Sequence, residues 1–347
     1  MLQKVCEMMQ NENLIAKAAK KEDSLLRLIY VTAFCVAQYG GTQFRCSKPF
    51  NPILGETYEF KTKKWKFIGE QVSHHPPITA GHAESKEYEV WMNTHLKSKF
   101  YGKSLEFTPL GYMNFRFKDN DHLFKCKRPQ TSVQNIIIGT MYIDHKGECV
   151  VENTNNGEKA IVKFKALGMF SGKDKRGLIE GTIYNEDGDP EYELYGKWTE
   201  SLYYKPSGAD DSEGTLIWEF PEIPDKWEQI YHFTDYTLQL NMIDEHIEEN
   251  LPPTDSRFRT DQRALENGEL AEANDEKKRL EEKQRERLME NKTSGKEFCP
   301  RYFEREENEE LDENGQKMIS FKYKGGYWTD RKNRDWDDVP DIFGYDN

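Results

Sequence analysis

The chain has 347 residues, enough for one large domain with a sizeable core or for two small ones. Its 62 acidic residues outnumber the 49 lysines and arginines, and the formal net charge is −13. This balance excludes general nucleic-acid binding and attachment to acidic membranes by bulk charge, so an anionic ligand must meet a local basic site.

The cysteines and the apolar segments indicate where the protein works. Six cysteines are scattered without a C-x-x-C pair, which is typical of a reduced, cytosolic chain. The longest mostly apolar run, residues 25–37, contains Arg27 and is too short to span a bilayer. The N-terminus has no signal-peptide pattern. We therefore predict a soluble, cytoplasmic protein.

Residues 1 to about 39 are predicted to be helical. Apolar residues recur at spacings of three and four from Leu2, and Asp23 or Ser24 can cap a second helix over 25–39. That helix is apolar nearly all round, so we expect it to be buried. Gly40 and Gly41 end it.

From about 44 to 205 the pattern changes to short alternating runs that predict strands, as in 87–92, 113–117 and 160–165. Asn156-Gly157 and Asp187-Gly188 are hairpin signals. The aromatic content of 13% also favours strands. Many consecutive antiparallel strands form a sandwich or close into a barrel, and a large barrel around one ligand is the simplest solution.

After residue 218 the pattern changes again. We predict mixed strand and helix over 227–247, then an extended link over 250–257. One long, highly charged helix is predicted over 262–290, followed by an acidic, mobile loop over 304–314. The aromatic C-terminal segment is expected to pack back onto the body.

Two adjacent histidines, His74 and His75, stand between a predicted strand (65–72) and two prolines in the segment EQVSHHPP. Each proline fixes φ and removes a backbone donor, which stiffens the chain after the imidazoles. Ring donors held still at a strand end suit an anion. A buried turn with incidental histidines is the alternative.

Two further segments carry candidate binding residues. In KPFNPILGETY, Lys48 and Asn51 are each followed by a proline, so a rigid loop can offer donors to phosphate and hydroxyl groups. The alternative is a packed loop with a solvated lysine. Lys277, Glu281 and Arg285 recur every four residues, which places them on one helix face. The alternative there is a row of solvated ion pairs.

Together these residues favour a phosphorylated polyol. Arginine offers a bidentate fork for phosphate, lysine a point charge and histidine a donor. Glu281 would repel a bare phosphate but can accept hydrogen bonds from ring hydroxyls. The set therefore indicates a phosphorylated inositol more than a simple phosphate.

The chain resembles the lipid-transfer domain of the oxysterol-binding-protein-related family over nearly its whole length. The resemblance is carried by the aromatic tail and by the segments KPFNPILGETY, EQVSHHPP, LPPTDSR (251–257) and EKKRLEEKQR (276–285). The resemblance implies an α+β fold dominated by β-structure: an incomplete antiparallel β-barrel that encloses a lipid tunnel. It implies one domain over 1–347, with N-terminal helices (1–43), the barrel (44–236) and a C-terminal helical subdomain with the tail (237–347).

The resemblance also implies a ligand and its site. Phosphatidylinositol 4-phosphate would place its headgroup at the barrel mouth, and a sterol or phosphatidylserine would be exchanged for it. The implied headgroup residues are Lys48, Asn51, His74, His75, Lys277, Glu281 and Arg285. Gln38 is a candidate partner for a sterol hydroxyl, although such a residue more often only ends a helix.

Family members begin this domain with a flexible lid, and Met1 falls where that segment should already have ended. We therefore expect a lidless domain that leaks bound lipid or transfers it slowly. Lys61–Phe67 could touch an anionic membrane, but a solvated turn is the simpler interpretation.

The leading hypothesis is a lipid-transfer protein, monomeric and without cofactor or metal, that visits membranes peripherally at organelle contact sites. One alternative is a lipid sensor that binds its ligand but does not transfer it. A distant alternative is a metal-dependent phosphoesterase using His74, His75 and Glu56. Adjacent histidines in an extended segment should point to opposite sides, and no recognised metal motif completes the set.

Overall fold

The N-terminal helices form as the sequence predicts. The computed structural model describes residues 1–166, 176–306 and 317–344. A 3-10 turn at Glu7–Asn11 joins α1 (Leu2–Cys6) to α2 (Glu12–Ala18), and α3 (Ser24–Ala37) follows. The Asp23 side chain caps α3 by accepting a hydrogen bond from the backbone N–H of Leu26.

Fourteen strands form one antiparallel sheet that follows the helices. They are β1 (Thr57–Lys61), β2 (Trp65–His74), β3 (Pro77–Ser85), β4 (Tyr88–Phe100), β5 (Ser104–Leu110), β6 (Tyr112–Phe117), β7 (Leu123–Lys127), β8 (Gln130–Gln134), β9 (Tyr142–Asn153), β10 (Lys159–Phe164), β11 (Leu178–Tyr184), β12 (Pro190–Lys197), β13 (Ser201–Pro206) and β14 (Thr215–Glu219). The predicted hairpin turns lie between β9 and β10 and between β11 and β12, where Gly157 and Gly188 have φ of 83° and 86°. Within Lys61–Phe67, residues 62–64 form the β1–β2 turn, while Trp65 and Phe67 are buried in β2.

The sheet divides and rejoins. The first half of β4 pairs with β6 and its second half with β5, while β9 pairs with β8 and then with β7. These six strands therefore form a closed ring, whereas β1 and β14 remain at the two ends of the sheet. At the division, the buried Arg128 side chain donates to the carbonyl oxygens of Asn93 (3.1 Å) and Leu110 (3.3 Å).

The main hydrophobic core joins the helices to the sheet. Helix α3 packs against β9, β10 and β14, and α1 packs against β1, β2 and β3. Ten of the fourteen residues of α3 are buried, as its nearly all-apolar sequence predicts. The structure thus confirms the predicted fold class, a large antiparallel barrel that closes only in part, with helices before and after it.

The C-terminal part is helical for the most part. Its elements are a 3-10 turn (Trp227–Ile230), α4 (Asp235–Gln239), α5 (Glu245–Glu248), a 3-10 turn (Ser256–Phe258), α6 (Thr260–Glu266), α7 (Leu270–Thr293), the strand pair β15 (Phe303–Glu306) and β16 (Ser320–Tyr323), and α8 (Tyr327–Asn333). In the described part of the chain, no helix is both long and apolar enough to cross a membrane.

Three predictions for this part were wrong. Residues 227–247 contain short helices without the predicted strand. The single helix predicted over 262–290 is divided into α6 and α7, because Gly268 adopts a φ of 82°, which ends α6. The first residues of the predicted loop over 304–314 belong to β15, and residues 307–314 lie outside the described residues.

Candidate functional site

The histidine segment lies at the end of β2. Strand β2 ends at His74, the chain turns through 75–76, and β3 begins at Pro77. Because the strand does not continue, the prediction that the two imidazoles point to opposite sides was wrong. The ring centroids of His74 and His75 lie 4.3 Å apart. His74 is half-buried and His75 is exposed, so both rings face the same solvent-accessible region.

The first two residues of EQVSHHPP hold this turn in place. Glu70 is buried, and its carboxylate accepts the backbone N–H groups of Arg301 (2.7 Å) and Tyr302 (2.9 Å). Burial raises the pKa of Glu70 to about 7. The Gln71 amide donates to the carbonyl of Ser73 (2.8 Å) at a bulge in β2. These two residues are therefore structural, whereas the histidines remain open to a ligand.

The loop before β1 is fixed by a buried ion network around Arg259. The Arg259 guanidinium donates to Glu56 (2.9 Å), to Asp261 (2.8 and 2.7 Å) and to the carbonyl of Asn51 (2.8 Å). The carboxylates raise the pKa of Arg259 against the opposing effect of its burial. Lys48 and the side chain of Asn51 are exposed at the start of this rigid loop.

Glu56 does not serve as the metal ligand that the phosphoesterase alternative requires. Its carboxylate is fully buried and accepts hydrogen bonds from the Ile53 N–H (2.9 Å), the Ser256 hydroxyl (2.6 Å) and Arg259. All three donors belong to the protein itself, and the carboxylate does not reach solvent.

Helix α7 brings the third segment to the same place. The amide oxygen of Gln284 accepts the Leu54 N–H (2.7 Å), and its nitrogen lies 3.2 and 3.3 Å from the ring nitrogens of His74. Arg287 donates to the carbonyl of Leu54 (2.9 Å). Leu280 of α7 and Ile53 of the loop also belong to one buried apolar cluster. The helix therefore crosses both the loop and the histidine turn.

The predicted row on α7 lies beside this crossing. Lys277 has its ammonium 3.9 Å from the Glu281 carboxylate and 5.3 Å from the centroid of the Phe50 ring. Phe50 stands between Lys48 and Asn51, so Lys277 lies next to that loop. Lys277 and Glu281 keep 41% and 47% of their side chains exposed, and Arg285 is exposed. At 1.5 Å per residue, the row from Lys277 to Arg285 spans about 12 Å.

The surroundings of His74 disfavour its protonated form. Burial and the neighbouring His75 lower the pKa of His74, while Glu281 acts in the opposite direction. The neutral form of His74 is therefore favoured, and both of its ring nitrogens lie within hydrogen-bond distance of the Gln284 amide nitrogen. The amide can donate to whichever of them carries no proton. Lys48, Lys277 and Arg285 are solvent-accessible cations on the loop and the helix that adjoin the histidine turn.

Gln38 lies elsewhere, at the C-terminus of α3. Its side-chain amide donates to the carbonyl of Cys35 (2.9 Å) in its own helix, which is the structural role that the sequence left open.

The residues that sequence reasoning missed are Gln284 and Arg259. Gln284 could have been found, because Ala273, Leu280 and Gln284 are uncharged and share an inward face of an otherwise charged helix.

Comparison with known proteins identifies relatives over the whole fold. The family model described as "Oxysterol-binding protein" matches residues 1–332. The chain is 38% identical over 349 residues to oxysterol-binding protein-related protein 2B of Arabidopsis thaliana, covering 99% of this chain and 48% of that protein. It is 38% identical over 317 residues to human oxysterol-binding protein-related protein 3, covering 90% of this chain and 35% of that protein. The chain thus spans less than half the length of these relatives.

Two solved structures have the same fold. The Osh1 ORD domain in complex with cholesterol is 33% identical, with a TM-score of 0.87, and the match covers 99% of this chain and 84% of that one. The Osh3 ORD in complex with PI(4)P, from Saccharomyces cerevisiae, is 33% identical with a TM-score of 0.83, covering 98% of this chain and 87% of that one.

Proposed function

The chain belongs to the oxysterol-binding protein family, and from that premise we propose that it binds phosphatidylinositol 4-phosphate and exchanges it for a second lipid between membranes. The observation that carries this proposal is the bridge from His74 through Gln284 to Leu54. It brings together three sequence segments, each of which has an ordinary structural explanation when taken alone.

The headgroup would bind where these segments meet. Lys48, His74, His75, Lys277 and Arg285 would donate to phosphate oxygens, while Asn51 and Glu281 would hydrogen-bond the hydroxyls of the inositol ring. A hydrogen bond to a charged group contributes about 1.5–3 kcal/mol, so several of them can select the headgroup. No covalent bond changes in this process.

The second lipid is proposed to be a sterol or phosphatidylserine. Support for a sterol comes from the cholesterol complex of the Osh1 domain, which shares this fold over 99% of the chain. We place this activity in the cytoplasm, with peripheral and transient membrane contact, in a monomer. Organelle contact sites are the setting in which such an exchange would work.

The test is extraction of labelled phosphatidylinositol 4-phosphate from liposomes by the wild type and by His74→Ala/His75→Ala. We expect the double change to reduce extraction by about tenfold or more, since two donors to phosphate are lost. His246→Ala is the matched control, because His246 is exposed on α5. Equal extraction by all three proteins would contradict the site.

Transfer is then measured separately from binding. Movement of the label from donor to acceptor liposomes, accelerated by the wild type, would support exchange. Retention of the lipid by the protein without arrival at the acceptor would instead support the lipid-sensor alternative.

A further inference from the structure

Two hairpin tips expose large apolar side chains to solvent. The β4–β5 turn carries Phe100 and Tyr101, which are 60% and 50% exposed. The β8–β9 connection carries Ile137 and Ile138, which are 69% and 83% exposed. Single exposed apolar residues are common, but a contiguous group of this kind marks an interaction surface.

The two tips form one surface. The backbone N–H of Ile136 donates to the carbonyl of Lys103 (3.2 Å), and β5 pairs with β8 from Ser104 opposite Gln134. We name this surface the apolar tip. It comprises Phe100, Tyr101, Ile136, Ile137, Ile138 and Met141.

The apolar tip lies at the same end of the sheet as the histidines. His74 is opposite Pro77, and the next residue of β3, Ile78, is opposite His95 of β4. Strand β4 then continues for five residues to Phe100, about 17 Å at 3.3 Å per residue. The apolar tip therefore projects beyond the strand end that carries the candidate headgroup site.

Positive charge accompanies the apolar tip in a chain whose net charge is −13. Lys99 and Lys103 belong to the same hairpin, and the Lys99 ammonium lies 4.9 Å from the centroid of the Tyr101 ring. The carboxylate of Glu106 on β5 is paired with Lys146. Lysines beside apolar and aromatic side chains match an anionic membrane interface, where cations are attracted to the lipid headgroups and aromatic rings lie at the boundary.

A second copy of the chain fits this surface less well. In a symmetric dimer the same lysines would face each other across the interface. Two narrow hairpin tips also offer little of the roughly 800 Å² per partner that a stable protein interface buries. A lipid surface accepts a convex apolar projection and its flanking cations together.

We propose that the apolar tip inserts into the surface of an anionic lipid membrane and holds the histidine end of the barrel towards it. This inference rests on the proposed function in one respect: the headgroup site must take its lipid from the membrane that it faces. The apolar tip itself shares no residue with the headgroup site.

The experiment measures co-flotation of the wild type with phosphatidylcholine vesicles, with and without phosphatidylserine. We expect binding that phosphatidylserine strengthens and that Ile137→Asp/Ile138→Asp weakens by about tenfold or more, because the two apolar side chains that would be buried in the lipid are replaced by charged ones. The matched control is Leu216→Asp. Leu216 is 51% exposed near the start of β14, towards the opposite end of the sheet, and its change should leave vesicle binding unaltered.

Two readouts separate this proposal from the proposed function. Ile137→Asp/Ile138→Asp should still bind a soluble short-chain phosphatidylinositol 4-phosphate, whereas His74→Ala/His75→Ala should lose that ligand and keep vesicle binding. Unchanged flotation of the isoleucine variant would overturn the membrane inference. A concentration-dependent dimer of the wild type that the same variant dissolves, without a change in flotation, would overturn it in favour of a second copy.

Discussion

The Gln284 amide nitrogen lies 3.2 Å from Nε2 of His74, although the two residues are 210 positions apart in the chain. The amide oxygen of Gln284 is already engaged by the Leu54 N–H, so the amide cannot turn over without losing that bond. The nitrogen therefore faces the imidazole as a donor. A donor at this position favours the neutral imidazole over its protonated form.

Replacing Gln284 should lower both the free energy of unfolding and headgroup binding, whereas replacing its neighbour Arg285 should lower headgroup binding alone. Gln284→Leu leaves the N–H of the buried Leu54 without its acceptor, which costs about 1–3 kcal/mol of unfolding free energy. It also releases the His74 ring. Arg285→Leu removes an exposed cation and should leave the urea midpoint within error while weakening headgroup binding. Equal stability of the two variants would contradict the bridge.

The pKa of His74 should respond to the same position. Burial lowers the pKa of His74 in the folded protein, so the fold is stabilised when His74 is neutral. This contribution to the free energy of unfolding is present above pH 6.5, the ordinary histidine pKa, and is lost as the pH falls below it. In Gln284→Glu a carboxylate faces the ring, which should raise the pKa of His74. Imidazole proton shifts in an NMR titration report the change. A His74 pKa that stays at the wild-type value would show that the side chains do not interact.

Local sequence patterns predict most of the barrel and its approximate element positions. Alternation and the Asn156-Gly157 and Asp187-Gly188 turns determine strands and hairpins through short-range rules. The break between α6 and α7 was missed because charged helix-forming residues continue on both sides of Gly268. A glycine can sit inside such a helix at modest cost, so the pattern alone did not indicate where the chain turns.

The candidate site was predictable as a set of residues but not as an arrangement. The charged row that begins at Lys277 is visible in the sequence, whereas Gln284, one position before Arg285, faces inward and makes the contacts that join α7 to the loop. Such contacts depend on tertiary packing between distant segments. The side-by-side histidines were missed for a similar reason, since their ring positions depend on where β2 ends.

Acid should destabilise the protein partly through His145. This side chain is buried between the hydroxyls of Thr42 (2.9 Å) and Thr131 (3.0 Å), and burial lowers its pKa to about 3. A lowered histidine pKa stabilises the fold above pH 6.5, and this contribution is lost progressively as the pH falls towards 3. His145→Gln should therefore flatten the dependence of the urea midpoint on pH between 6.5 and 4.

The control for this measurement is His246→Ala, since His246 is exposed on α5. Its pH profile should follow that of the wild type. If His145→Gln retained the full wild-type slope, the acid sensitivity would have to arise from other groups, among them the buried His82, whose pKa burial lowers to about 4.

Arg259 should be among the most sensitive positions in the chain, because it neutralises two carboxylates that solvent does not reach. The side chains of Glu56 and Asp261 are fully buried, and each is paired with the guanidinium. Arg259→Met would leave both uncompensated, at a cost of about 3–5 kcal/mol in the free energy of unfolding. Arg334→Met is the matched control. Its guanidinium pairs with Glu249 (2.9 Å), and both side chains are more than half exposed, so this pair is worth at most about 1 kcal/mol.

A rescue experiment tests whether charge is the cause. Adding Glu56→Gln and Asp261→Asn to Arg259→Met removes the buried charges, so part of the lost stability should return. Headgroup binding should stay low in the rescued protein, because Asn51 has still lost the hydrogen bond that ties its carbonyl to Arg259. Recovery of binding along with stability would mean that the loop holding Lys48 and Asn51 needs no such tether. Similar losses for Arg259→Met and Arg334→Met would contradict the buried network itself.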